Sequence, residues 1–469
     1  MGHAQHRFGG SNGSIMRNLF IEGLITLRQS YWFWPSILTA FALVLGFAMP
    51  VFDGYVGSDW MQPLPFLRPL QVDGARDMLT TLASAVLGVA GVSFSITMVA
   101  VTFASGNYGP RLIGNFMRDR TNQLVLGVFL STFVYCIAVL SRVHDESDIA
   151  AVVPQISILF AIVLTLASVG ALIVYIHHVP ESINIMNLVA RIGGELERAI
   201  AAMLVTESER DEKCANTHDD PGVAAWSENP VYSERATSIR SHGTGYLQWI
   251  DLERLDAIAA EADVQIVLVR SAGDFVVEGE PIMTVRPAER LDERHAADLA
   301  IALTLGANRT ELQDVLFLSD ELVEVLARAL SPGVNDPHTA MLCLDWLRAG
   351  LSILAREKGC GEVSPRARVL YTRVTFERMI ESAFSQMRQY IAADRNVTLH
   401  AIGTLSDLAA EVSDTSRIAA LDEQAETLAT SAHERQAESA AKAEIDAAMA
   451  AYQERKRRGD AGVIGPRPG

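Results

Sequence analysis

Residues 78–104 read MLTTLASAVLGVAGVSFSITMVAVTFA, a run without a single Asp, Glu, Lys or Arg. At 1.5 Å per helical residue it extends about 40 Å, enough to cross the roughly 30 Å hydrocarbon layer of a bilayer. A helix in a water-soluble core normally keeps a polar stripe toward solvent, and this run has none. It therefore predicts a membrane span. Residues 36–52, 122–140 and 152–176 share the property, in a chain of positive mean hydropathy. The first is the weakest of the four, because Pro35 and Pro50 bracket it closely.

Arginine placement orients the spans, since positive charge near short loops is retained on the cytoplasmic side. Arg7, Arg17 and Arg28 precede the first run, Arg111, Arg118 and Arg120 lie between the second and third, and Arg191 and Arg198 follow the fourth. The alternate loops carry Arg68 and Arg76, then Arg142. Both termini are expected inside, in a multi-pass protein of a bacterial inner membrane. The N-terminus lacks the compact pattern of a cleaved signal, so the first span reads as a retained anchor.

Charge divides the chain as well. Residues 1–210 carry 12 Arg, no Lys and 14 acidic residues, whereas residues 211–469 carry 27 basic and 42 acidic ones. So acidic a polar half argues against nucleic acid. Cys136, Cys214, Cys343 and Cys360 form no C-x-x-C pair and read as reduced structural thiols.

The expected organisation is a cytoplasmic N-terminus (1–35), a four-helix transmembrane domain (36–180) and an amphipathic connector with a loop (181–240). A small β-rich, half-barrel-like module (241–287), a helical cytoplasmic domain (288–415) and a helical tail with a disordered end (416–469) follow. The fold class is thus mostly α. Within the module, GYLQWI, DLERLDAIAAEA, VQIVLVR, GDFVV and PIMTV read as strand, helix, strand, strand and strand, with Asp251 a helix N-cap. SAGDFVVEGEPIMTV resembles the half-barrels of lipoyl or biotinyl carriers, but no lysine stands at the turn. Helices are expected at 289–305, 309–330, 337–356, 365–393 and about 397–413, and 420–458 as one long exposed helix.

Residues 327–341, ARALSPGVNDPHTAM, pose the sharpest question of function. Pro332 stops one helix, Gly333 tolerates the positive φ of a C-terminal stop, and Asp336-Pro337 caps and starts the next, with Thr339 in its first turn. A tight corner does not explain Asn335 and His338. They add donors and a titratable group at a helix N-terminus, where a carboxylate or phosphate is readily held. Arg309, Gln313 and Asp320 fall on one side of a preceding helix, and Gln386, Arg388 and Asp394 on a later one. Asn335, Asp336, His338, Thr339, Arg309, Gln313 and Arg388 are therefore the candidate ligand-binding residues, for a small anion. A buried structural network is the equally good alternative, because buried polar residues must in any case find partners.

The runs SFSITMVAVTFASGNYGPRLIGNFMRDRTNQLVLGVFLSTFVYC, GYLQWIDLERL, GDFVVEGEPI, RTELQDVLF, LARALSPGVNDPHTA and AFSQMRQYIAADRNV resemble a bacterial family of predicted membrane proteins catalogued only as a domain of unknown function. The similarity covers most of residues 20–425, and Leu-Ser-Pro-Gly-Val-Asn-Asp-Pro is its most specific motif. It implies an integral membrane protein and supplies no reaction or catalytic residue.

Other chemistry finds little support. His177, His178 and Glu181 are weak as metal ligands because Pro180 interrupts the helix on which their spacing would count. GGSNG (9–13) and Ser439-Ala-Ala-Lys442 match catalytic patterns outside their required contexts. No catalytic residue, metal or cofactor is expected, and the protein is not read as an enzyme. The spans hold no carboxylate, His or Arg, which disfavours ion-coupled transport. Residues 84–105 carry Ser84, Ser93, Ser95, Thr97, Thr102, Ser105, Gly88 and Gly91, suited to close helix packing in a homo-oligomer or to a passive conduit. The favoured function is a membrane-anchored ligand-binding or interaction module, and the alternative a conduit gated by its cytoplasmic domain.

Overall fold

The computed structural model describes residues 32–56, 71–109, 119–143, 153–215, 236–357, 363–366 and 368–460. It divides into two compact units, residues 1–184 and 185–469. Residues 1–31, including GGSNG (9–13), lie outside the described residues.

The first unit holds four helices long and apolar enough to cross a membrane: α1 (Phe33–Val56), α2 (Val72–Tyr108), α3 (Arg120–Leu140) and α4 (Gln155–Ile183). They correspond to the four charge-free runs: α1 and α2 extend past theirs at both ends, α3 begins two residues earlier, and α4 starts at Gln155 and runs on to Ile183. Helix α3 is the most buried and packs against the other three. Two glycines let α1 and α3 approach closely. A Cβ at Gly46 would stand 2.6 Å from that of Ala138, and one at Gly127 would stand 2.6 Å from Leu38 Cδ1. Small residues thus bring backbones together here, as expected in a bilayer, but on α1 and α3. Gly88 and Gly91 of α2 have nothing within 4 Å of an added Cβ, so within one chain they do not pack as the sequence suggested.

Three details of this unit depart from expectation. Helix α1 passes through Pro50 and so includes Asp53, a buried carboxylate absent from the charge-free reading of the spans. It accepts the Ile156 and Ser157 amides at 2.9 and 2.8 Å and the Ser157 hydroxyl at 2.7 Å, capping α4 behind Pro154. Helix α4 continues through Pro180, and its His178 Nε2 meets Asp119 Oδ2 at 2.7 Å. Asp119 is the N-cap of α3, so that pair joins two helix ends. The buried hydroxyls pair with one another: Thr97 with Tyr175 at 2.8 Å, Thr132 with Ser168 at 3.0 Å.

The second unit begins with α5 (Ile185–Ala215). Its Leu188, Val189, Ile192, Leu196 and Ile200 recur at helical spacing and are fully buried. The amphipathic pattern therefore serves as a wall of this unit's core. Strands β1 (Thr237–Arg240) and β2 (Gly245–Ile250), helix α6 (Leu252–Glu261), and strands β3 (Gln265–Leu268), β4 (Phe275–Val276) and β5 (Pro281–Arg286) follow in the expected order. Asp251 caps α6 through the Arg254 amide at 3.0 Å, as read from sequence.

Segment 289–305 is not one helix: α7 (Glu293–Ile301) gives way to β6 (Leu303–Gly306). The segment 365–393 is likewise mixed, with β7 (Val363–Arg366), β8 (Val369–Thr372), α10 (Phe376–Ile380), a π-helical turn (Glu381–Ser385) and α11 (Arg388–Ile391). These strands complete two sheets, in the orders β1-β5-β3-β8-β7 and β4-β2-β6, with β3 and β8 parallel and the other pairs antiparallel. Leu247, Ile266, Val276, Met283, Val285 and Leu299 form the core between them. The β-rich part is thus larger than the half-barrel expected, because its missing strands arrive much later in the chain.

Helices α8 (Val315–Ala329), α9 (Pro337–Arg356), α12 (Arg395–Ala409), α13 (Thr415–Arg435) and α14 (Ser439–Asp460) make the helical part. The tail is two helices and is not exposed: Leu421, Leu428, Ile445 and Tyr452 are buried, and Tyr452 donates to Asp422 Oδ1 at 2.7 Å. That bond and burial hold the phenol far above its ordinary pKa, burial contributing most.

Candidate functional site

The polar corner at Ser331–Thr339 satisfies its own backbone. Helix α8 ends with Val334 and Asn335 amides both donating to Ser331 O at 3.0 Å, and the Asp336 amide reaching Ala329 O at 2.7 Å. The left-handed position belongs to Asn335, at φ +49°, and not to Gly333. Asparagine tolerates that conformation better than most residues, which accounts for its presence. Asp336 caps α9 by accepting the Thr339 amide at 3.2 Å and the Thr339 hydroxyl at 2.6 Å. Burial acts to raise the Asp336 carboxyl, yet these bonds outweigh it and hold it below its ordinary range. Asn335 and His338 themselves are exposed.

Asp336→Ala should therefore cost about 1–2 kcal/mol. Because the folded carboxyl titrates below the unfolded one, its contribution is present above about pH 4 and is lost as pH falls through the folded value. Chemical denaturation of wild type and variant at pH 7 and pH 3 should show the gap closing in acid.

The other candidates lie apart from that corner. Arg309 precedes α8 and donates to Asp314 Oδ2 at 2.8 Å and to Asp320 Oδ2 at 2.6 Å, with its guanidinium 5.6 Å from the Phe317 ring. Asp320 Oδ1 accepts the Ser382 hydroxyl of the π-helical turn at 3.0 Å. Burial alone would lower the Arg309 pKa; Asp314 and Asp320 reverse this and hold it charged, while burial lifts the Asp314 carboxyl above its usual range. Gly273, at φ +91°, belongs to the same cluster, since a Cβ there would stand 2.1 Å from Asp314 Oδ2. Arg388 reaches Gln424 Oε1 at 3.2 Å and Ser385 Oγ at 3.4 Å.

Gln313 acts as a side-chain substitute for a strand. Its Nε2 donates to Ile250 O at 3.0 Å and its Oε1 accepts the Ile250 amide at 2.8 Å, closing both backbone valences at the end of β2. Gln313→Ala strands both groups and should cost about 2 kcal/mol, whereas Gln313→Asn, one methylene short, should lose nearly as much. Thermal unfolding of the two variants checks this. Among the described residues no hydrogen bond joins Arg309, Gln313 or Arg388 to Asn335 or His338, so the seven candidates form separate structures.

Gln313 also borders a cavity of about 360 Å³, which sequence reading missed. Its apolar wall includes Ala199, Ala202 and Met203 of α5, with Leu268 and Leu316. Arg270, Arg373 and Arg378 supply guanidinium groups, and Trp249 and Tyr371 supply aromatic surface. Volume and composition match a small-molecule pocket, apolar with a few placed polar groups. The arginines come from the ends of β3 and β8 and from α10, so no local pattern could have announced them. Among the described residues, no three His, Cys, Asp or Glu side chains are arranged to hold a metal.

Four long apolar helices followed by a polar unit with its own core define a multi-span membrane protein. The chain belongs to the family described as "Predicted membrane protein (DUF2254)", whose pattern matches residues 28–407. It is 27% identical over 362 residues to uncharacterized proteins of Mycobacterium bovis and Mycobacterium tuberculosis. Those alignments cover 75% of this chain and 66% of each relative, so the chain spans just under two thirds of their length. No solved structure matches it.

Proposed function

We propose that this is a membrane-anchored ligand-binding module. Its four spans sit in a bacterial inner membrane with both termini inside, and its second unit takes up a small anionic ligand in the cytoplasm. The observation that carries this reading is the arginine-bearing cavity, one wall of which is α5, the helix that begins at Ile185, separated from the end of α4 by Asn184 alone. The arginine distribution along the chain supports the orientation. A thermal-shift screen of small metabolites on the full chain and on Ala199→Trp tests the module. Stabilising compounds should appear with the wild type and vanish when the indole fills the cavity; hits that survive in Ala199→Trp, or no hits, contradict it.

The conduit has less behind it. Thr97, Thr132 and Ser168 spend their hydroxyls on interhelical bonds, and Ser95 and Thr102 return theirs to Gly91 O and Met98 O of α2 itself. Hydroxyls so committed do not line a path for ions. The open face at Gly88, Gly91 and Ser95 suits a second copy of the chain instead. Gly88→Leu and Gly91→Leu should each lower the oligomer size measured by light scattering in detergent while leaving the monomer's thermal stability near that of wild type.

A further inference from the structure

We infer, resting on the binding-module reading above, that the ligand of the cavity is an anionic amphiphile: a phosphate or carboxylate group joined to a short apolar chain. The charge argument starts with the three arginines on the wall, against which stand two carboxylates, Glu311 and Asp314. Asp314 is tied to Arg309 and lies 5% exposed, so its charge is answered outside the cavity. Arg378 is exposed on α10 and forms no ion pair among the described residues, which leaves a guanidinium fork at the rim. Arg270 directs Nη2 toward Glu280 at 3.5 Å, but its Nε is buried without a hydrogen-bond partner. A buried charged donor left unmatched is costly, and an anion in the cavity would supply the missing acceptor. Arg373, 5% exposed, adds a third positive group deeper in the fold.

The apolar argument is independent of charge. Ala199, Ala202 and Met203 lie at i, i+3 and i+4 on one side of α5, and the two small alanines leave the space that Met203, Leu268 and Leu316 help enclose. Inorganic phosphate alone would leave that surface wet and unused. At 360 Å³ the cavity has room for a head group and a chain of several carbons, while a full diacyl lipid would not fit. The guanidiniums would hold the head group, and the α5 wall the chain.

The test uses the full-length protein in a non-ionic detergent with three probes: hexyl phosphate, inorganic phosphate and hexanol. Hexyl phosphate should raise the unfolding midpoint by roughly 3 °C or more at saturation and exceed both fragments. Arg378→Gln, a surface change, should weaken its apparent affinity about tenfold or more, as expected for loss of a charge-assisted contact. Equal stabilisation by hexanol, with Arg378→Gln unchanged, overturns the anionic part while leaving a binding module. Equal stabilisation by inorganic phosphate points to a free phosphate site and overturns the amphiphile. If none of the three shifts the midpoint, and the screen against Ala199→Trp also finds nothing, the inference and the module fall together.

Discussion

Arg309→Met should destabilise the second unit by about 3–5 kcal/mol, measured by denaturant unfolding at pH 8. The arginine is a cation shared by Asp314 and Asp320, at 2.7 and 2.6 Å. Asp314 is 5% exposed, so removing the guanidinium leaves an uncompensated buried carboxylate beside a second one. Methionine keeps the bulk against Phe317, so the loss reports charge and hydrogen bonding more than volume. The pH dependence separates this from a packing defect. Burial already sets the Asp314 carboxyl above its ordinary range, so the folded state takes up its proton more readily than the unfolded state does. Without Arg309 that difference widens, and stability of the variant should rise relative to wild type as pH falls toward 5. A deficit equal at pH 8 and pH 5 would argue for simple loss of packing.

Gly193→Leu should be of similar severity, about 3 kcal/mol or more, because no rotamer removes the clash. An added Cβ alone would lie 2.3 Å from the indole of Trp346, where α5 packs against α9. Its neighbour provides the control. Gly194 has nothing within 4 Å of an added Cβ, so Gly194→Ala should stabilise α5 by up to about 1 kcal/mol through helix propensity. Opposite signs at adjacent glycines, read by thermal unfolding, would place the α5–α9 contact as described; equal effects would not.

Long-period features were legible in the sequence. The spans announced themselves by lacking charge over enough length to cross a bilayer, and the caps Asp251 and Asp336 by residue type beside an apolar run. Asp53 was missed because Pro50 looked like an end, although a helix can run on past proline when neighbours satisfy the freed carbonyl. Strands β6, β7 and β8 were missed because each has four residues, too few to establish a period of two, and β8 gains its place by pairing with β3 about a hundred residues earlier. The tail looked exposed because alanine fills most of the buried stripe between Leu421 and Tyr452. The corner was read correctly at Asp336 and Pro337, but the left-handed residue was assigned to Gly333 when Asn335 carries it. Arg309 and Gln313 were picked as ligand-binding candidates; in the fold their partners are a carboxylate pair and a strand end. The cavity arginines were invisible because they meet only after folding.

Sidedness is the most direct test of a module anchored at the cytoplasmic face. Single cysteines at Ser58 and at Ser439, which is exposed at the start of α14, would be introduced into a chain whose native cysteines are replaced by alanine. Intact cells would then be treated with a membrane-impermeant maleimide. Labelling of Ser58→Cys from outside, with Ser439→Cys reacting only after permeabilisation, is the predicted result; Ser439→Cys labelled in intact cells while Ser58→Cys stays protected would contradict it.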